Sequence, residues 1–170
     1  DSDGRVVRTR PGGYVLDLSD DEVDSHRFVA LAEEARRELD PQESLALLDA
    51  ALALWSGTPF DGLDDEWLEV ERARLLEVRA LALEARLALR LDLGASDVEA
   101  EAAVLLAVDP YRERLVELRV IALYRAGRHG EALEVLRGLI VETGAGAVYW
   151  SRHYDPDHRF RDETVKEALK

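Results

Sequence analysis

Apolar residues recur at every third or fourth position from Asp24 onward, which is the period of an amphipathic α-helix. The pattern predicts one helix from Asp24, a second that Pro41 opens, and a third and longest from about residues 64–66 to Gly94. Acidic residues at the start of this third helix suit the positive end of the helix dipole. Its predicted buried stripe is Trp67, Val70, Leu75, Val78, Ala82, Ala85 and Leu89.

Three further helices are predicted after Gly94. The fourth follows Ser96-Asp97-Val98-Glu99, the spacing of a capping box, and stops at Asp109-Pro110. The fifth covers about residues 112–125 and the sixth about 130–142. Residues 102–136 resemble the tetratricopeptide pattern, with small residues where helices approach closely. Because none of these helices can bury its apolar face alone, we predict an all-α fold, a tetratricopeptide-like array of helical hairpins.

Strand signals lie at the two ends of the chain. In residues 5–18, β-branched residues flank Pro11-Gly12-Gly13, which predicts a short β-hairpin around a glycine turn. Near the C-terminus, a Gly-Ala turn and a strand that ends in Tyr149-Trp150 precede a predicted helix. We therefore expect three segments: a hairpin at 1–18, a helical body at 19–143, and a strand-helix tail at 144–170.

The excess of acidic over basic residues lies entirely in the helical body. Residues 19–143 hold 14 basic and 28 acidic side chains, whereas the flanking segments are balanced, so the net charge of −14 belongs to the body. Such a surface repels a phosphate backbone, which makes the body a poor nucleic-acid binder. No apolar run reaches the roughly 18 residues of a membrane helix, and no signal peptide is visible, so we expect a cytoplasmic protein without a membrane partner.

Candidate catalytic and metal-binding residues are few. The chain has no Cys, which excludes thiol chemistry and thiolate metal sites. His153 and His158 enclose two Asp residues, yet Pro156 interrupts them and a further ligand pair is lacking, so a solvated loop is the preferred interpretation. His129 lies in a turn and has no visible nucleophile partner. Trp55, Phe60 and Trp67 flank one interhelical turn and are predicted to form a core clasp. We predict no catalytic residues, no cofactor and no metal.

A set of ordered motifs over about residues 5–139 resembles the bacterial transcriptional activator domain, which follows a winged helix-turn-helix in antibiotic-pathway regulators of actinomycetes. The motifs are Gly13-Tyr14-Val15-Leu16, the run 23–28, Ala53-Leu54-Trp55-Ser56-Gly57-Thr58-Pro59-Phe60, Asp109 to Arg114, Ala122 to Arg128, and Glu131-Ala132-Leu133. The resemblance implies a module for dimerisation and protein contacts within a transcription regulator.

The same resemblance makes residues 5–18 the last hairpin of a winged DNA reader whose helices would lie upstream. The chain starts without Met, which also suggests a longer polypeptide. Arg5, Arg8 and Arg10 alternate along one edge of the hairpin and are candidates for contact with phosphate or the minor groove. An ordinary solvent-facing rim is the alternative.

The segment of about residues 140–170 departs from this family. Tyr149-Trp150, the run from Arg152 to Pro156, and Arg161-Asp162 resemble part of the N-terminal α/β domain of DNA photolyases and cryptochromes. We interpret it as a fusion near residues 136–144 and expect no photolyase activity. Our first hypothesis is thus a protein-interaction module of a bacterial regulator. A photolyase-related fragment is the alternative, and a hydrolase that uses paired carboxylates is a third hypothesis.

Overall fold

The computed structural model describes residues 7–19 and 22–147. Within these ranges the chain forms one β-hairpin and six α-helices, and it divides into two compact units between Leu93 and Gly94. The elements are β1 (Val7–Arg10), β2 (Gly13–Leu16), α1 (Asp24–Arg37), α2 (Pro41–Ala53), α3 (Glu66–Asp92), α4 (Val98–Val108), α5 (Glu113–Arg125) and α6 (His129–Thr143). The predicted helical fold is confirmed. The predicted tail falls largely on residues 148–170, which lie outside the described residues.

The predicted N-terminal hairpin is also confirmed. Strands β1 and β2 pair antiparallel, with Val7 opposite Leu16 and Arg10 opposite Gly13. Gly12 takes a left-handed φ of +96° in the two-residue turn, a conformation that glycine adopts without steric cost. The side chains of Val7 and Tyr14 are exposed, and an isolated pair of strands is marginally stable in water.

Two local features join α1 and α2 into a helical hairpin. Asp40 caps α2, because its carboxylate accepts two backbone N–H groups of the first turn at 2.8 and 3.0 Å. Pro41 occupies the first helical position, where a missing N–H costs nothing. Ser44 is buried and donates a 2.9 Å hydrogen bond to the carbonyl of Ala35 in α1. This bond ties the end of one helix to the start of the next.

Helices α1, α2 and α3 bury two neighbouring apolar clusters. One contains Phe28, Ala51 and Leu75, and the other contains Ala35, Leu48 and Ala82. Each cluster takes one buried residue from each helix, and alanines at these positions permit close approach of the helix axes. The three helices therefore share a continuous core within the first unit.

The predicted stripe of α3 is wrong at its N-terminal end. Leu75 and Ala82 are buried as predicted, but Trp67 is 68% exposed and Val70 is 72% exposed. Leu68 is buried instead. Leu68 lies about two helical turns before Leu75 on the same face of α3, so the buried stripe includes Leu68 rather than Trp67. Trp67 and Val70 share the opposite, solvent-facing side of the first turns of α3.

Helices α4, α5 and α6 form the second unit, with α5 packed against both of its neighbours. Gly127 has a left-handed φ of +75° in the turn between α5 and α6, a conformation that commonly ends a helix. Gly144 ends α6 in the same conformation, and the next N–H bonds the carbonyl of Ile140 at 3.2 Å. Buried residues of this unit are Val98, Ala102, Leu115, Val116, Leu118, Ala122, Leu123 and Ala132.

The capping box predicted before α4 does not form. Asp97 occupies the cap position without a side-chain cap bond, and Glu99 binds two arginines instead. Its carboxylate accepts from Arg119 at 3.1 Å and from Arg128 at 2.9 Å. Two charge-assisted bonds to guanidinium groups are stronger than one bond to a backbone N–H, which explains the preference.

Candidate interaction surfaces

The first unit has a groove between α1 and α3, which we call the α1–α3 groove. It encloses about 330 Å³ and has an apolar floor that includes Val29, Leu48 and Val78. The charged residues around it are Glu33, Arg36 and Arg74. Both signs of charge therefore meet at its rim, and the rim favours neither an acidic nor a basic partner.

An aromatic clasp closes one end of the same unit. The ring of Phe28 meets the ring of Trp55 edge to face, with centroids 5.3 Å apart at 63°. The guanidinium of Arg79 lies 5.1 Å from the Trp55 centroid, within reach of a cation–π contact. Phe60 packs against the same cluster. The predicted clasp is confirmed for Trp55 and Phe60 and wrong for Trp67, whose place Phe28 takes.

The loop that presents this clasp is held by Arg72, a residue that the sequence did not single out. Its side chain is 15% exposed and donates to the carbonyls of Pro59 at 2.8 Å, Phe60 at 2.9 Å and Leu63 at 3.1 Å. Phe60 has a left-handed φ of +57°, which is strained for an aromatic residue. Arg72 therefore offsets the cost of an unfavourable loop conformation.

The second unit has a larger groove between α5 and α6, which we call the α5–α6 groove. It encloses about 530 Å³, and most of its lining is apolar. The apolar lining residues are Tyr111, Val116, Val120, Ile121, Leu136 and Leu139. Glu113 and Glu117 are the charged residues in the lining, counted over the described part of the chain. The sequence carried a signal for this groove, since α5 has apolar residues on more sides than one buried stripe requires.

A network of ion pairs fixes the turn at the base of α6. Arg128 donates to Glu131 at 2.5 and 2.7 Å and also reaches Glu99 of α4. The bonds to Glu131 and then to Glu99 raise the pKa of Arg128, and the bond from Arg128 lowers the pKa of Glu131. The rings of Tyr124 and His129 lie 4.9 Å apart across the same turn. These contacts connect all three helices of the unit.

Two of the three arginines predicted to contact DNA are described. Arg8 and Arg10 are two residues apart on β1 and so lie on one face of the strand. Arg8 forms an exposed ion pair with Asp17. Arg5 lies outside the described residues. The DNA contact stays a prediction.

Comparison with known proteins identifies the fold family. Residues 23–140 match the bacterial transcriptional activator domain. The chain belongs to this family. Over 138 residues it is 39% identical to the regulatory protein AfsR of Streptomyces coelicolor, a match that covers 78% of the chain and 14% of that relative. The activator domain thus spans a small part of AfsR, and the match places the chain in bacterial transcription regulation.

A solved structure shares the fold of this activator domain. It is described as Mycobacterium tuberculosis EmbR in complex with a low affinity phosphopeptide. The likeness has a TM-score of 0.70 at 27% identity and covers 97% of the present chain and 44% of the other. Together with the family match, it confirms the helical, tetratricopeptide-like architecture and the resemblance noted in the sequence.

The resemblance to photolyases has a narrower basis. A stretch of 41 residues is 46% identical to deoxyribodipyrimidine photo-lyase of Agrobacterium fabrum, a match that covers 24% of the chain and 9% of that enzyme. It is a likeness of a segment, whereas the transcriptional regulators match three quarters of the chain or more.

Sites for chemistry are sparse in the described part of the activator domain. Among residues 7–19 and 22–147, no three His, Asp or Glu side chains cluster as metal ligands would. His153 and His158 lie outside those ranges. In the same part of the chain, no helix is both long enough and apolar enough to span a bilayer. The relatives AfsR and RedD of Streptomyces coelicolor, which each match more than three quarters of the chain, are regulatory proteins.

Proposed function

We propose that this activator domain is a protein-interaction and dimerisation module of a bacterial transcriptional regulator. The observation that carries the proposal is the exposed face of α3. Trp67 and Val70 stand one turn apart on this helix with 68% and 72% of their surfaces exposed. Tryptophan is enriched among the residues that dominate protein interfaces, because one ring buries a large apolar area. A partner that covers these two side chains gains that burial.

Sedimentation velocity of the whole chain at micromolar concentration tests this proposal. We expect self-association, and we expect Trp67→Ser with Val70→Ser to raise the dissociation constant at least about tenfold. The matched control is Val104→Ser with Val108→Ser, which removes two apolar residues of α4 that are at least as exposed as Trp67, and we expect it to leave association unchanged. A strictly monomeric chain that also binds no other domain of its regulator would overturn the proposal.

The proposal includes the arrangement of segments expected from the sequence. Residues 1–18 supply the closing hairpin of an upstream winged DNA reader, 19–143 the activator domain, and 144–170 a separate tail. DNA is contacted through the winged domain, with Arg5, Arg8 and Arg10 near the phosphates, while the acidic body engages protein in the cytoplasm. Exposed Val7 and Tyr14 on the hairpin support this arrangement, since a hairpin with apolar side chains in water gains stability from a covering domain.

A further inference from the structure

The α5–α6 groove has the form of a site for an amphipathic helix. Side chains from both helices line an open trough of about 530 Å³ whose floor is aliphatic, and Tyr111 stands at its edge with 68% of its surface exposed. Grooves of this kind accept the apolar face of a helix, with anchors at positions i, i+3 or i+4, and i+7. The floor thus specifies the apolar half of a ligand.

The rim specifies the charged half of the ligand. Among the residues that the structure describes, Glu113 and Glu117 line the groove, and no basic residue does. Glu117 pairs with Arg114 at 2.6 Å, but both side chains are about half exposed, and such surface pairs are weak enough for another cation to replace Arg114. The net charge of −14 in residues 19–143 adds a long-range attraction for cations.

We propose that the α5–α6 groove binds a basic amphipathic helix of a partner protein, with aliphatic anchors on the floor and Lys or Arg beside Glu113 and Glu117. This inference rests on the proposed function of the domain as an interaction module and names the partner's chemistry. A second copy of the chain is a poor occupant, because it would bring a body of the same negative charge to the acidic rim. The α1–α3 groove, with its mixed rim, lacks this selectivity for basic ligands.

Fluorescence anisotropy with a synthetic peptide tests the proposal on the whole chain. The probe is a labelled 18-residue helix with Leu on one face and Lys on the other. One control peptide has the same composition with its Leu positions scrambled, and another carries Glu for Lys. We expect the Leu/Lys helix to bind measurably and neither control peptide to do so. The affinity for the Leu/Lys helix should fall as the salt concentration rises.

Substitutions separate the groove from general attraction to an acidic protein. Glu113→Gln with Glu117→Gln removes two charges from the rim and weakens binding about five- to tenfold. Glu34→Gln with Glu43→Gln removes two charges from exposed positions of the first unit and changes binding less than about twofold. Equal losses in the two double variants would overturn the proposal, as would binding of the Glu peptide.

A second readout locates the peptide. Because the chain has no Cys, Thr143→Cys gives a single thiol in the lining of the groove for an environment-sensitive dye. We expect the dye to respond to the Leu/Lys helix with the same midpoint as the anisotropy. Crosslinks from this thiol to residues 148–170 or to a second chain, with no response to peptide, would overturn the inference. Self-association through α3 would survive that result, so failure of the inference is distinguishable from failure of the proposed function.

Discussion

Arg72→Met tests whether one side chain holds the clasp loop of the first unit. The guanidinium makes three hydrogen bonds to carbonyls of residues 59–63 and is 15% exposed. A bond to a charged donor contributes about 1.5–3 kcal/mol, but the exposed carbonyl of Leu63 regains water when its donor is lost. We therefore expect a loss of about 2–3 kcal/mol rather than the full sum of three such bonds. For a chain of this size that corresponds to a fall in Tm of roughly 5–10 °C.

Urea denaturation followed by circular dichroism measures this loss. Arg74→Met is the matched control: it lies on the same helix, and its ion pair with Glu71 is partly exposed, so we expect a cost below about 1 kcal/mol. Arg72→Lys keeps the charge but lacks the planar fork, and we expect an intermediate loss. If Arg72→Met and Arg74→Met were equally stable, the carbonyl contacts would not hold the loop, and the reasoning would be refuted.

Three further predictions address other contacts. Ser44→Ala removes the buried bond to Ala35 and should lower the free energy of unfolding by about 1–3 kcal/mol, and an unchanged urea midpoint would contradict this. The hydrogen bond from Arg128 lowers the pKa of Glu131 in the folded chain below the ordinary value of 4.5, so this pair stabilises the fold fully above pH 4.5 and loses that effect as the pH falls through the lower, folded pKa. The free energy of unfolding of Arg128→Gln should therefore depend less on pH below 4.5 than that of the parent chain. Duplex DNA should bind the parent chain weakly and should bind the Arg8→Gln variant more weakly still. Tight DNA binding that survives this substitution would refute a role for the hairpin edge.

Helix boundaries were predictable because their signals are local. Pro41 begins a helix and Gly127 closes one through short-range effects, since the proline ring and the left-handed glycine act within a single turn. The confirmed start at Pro41 and the stop before Asp109-Pro110 are of this kind. Local chemistry therefore accounts for the order and length of the helices.

Contacts across the chain were not predictable in the same way. Trp67 and Leu68 are neighbours and both apolar, so only the packed partners of α3 decide which of them is buried. Glu99 had the spacing of a capping residue, yet its arginine partners lie 20 and 29 residues away. The acceptors of Arg72 are backbone carbonyls, which every residue possesses, so no sequence pattern marks them. These features depend on tertiary packing rather than on local pattern.

The two proposed surfaces of the activator domain should respond to salt in opposite directions. Association through Trp67 and Val70 buries apolar area between acidic bodies, so added salt screens the repulsion and strengthens it. Binding of a basic helix between Glu113 and Glu117 depends on attraction between opposite charges, so added salt weakens it. A single salt titration of the whole chain, followed by sedimentation and by peptide anisotropy, therefore tests both assignments at once. If added salt changed self-association and peptide binding in the same direction, the two surfaces would not differ in the physical origin of their affinity.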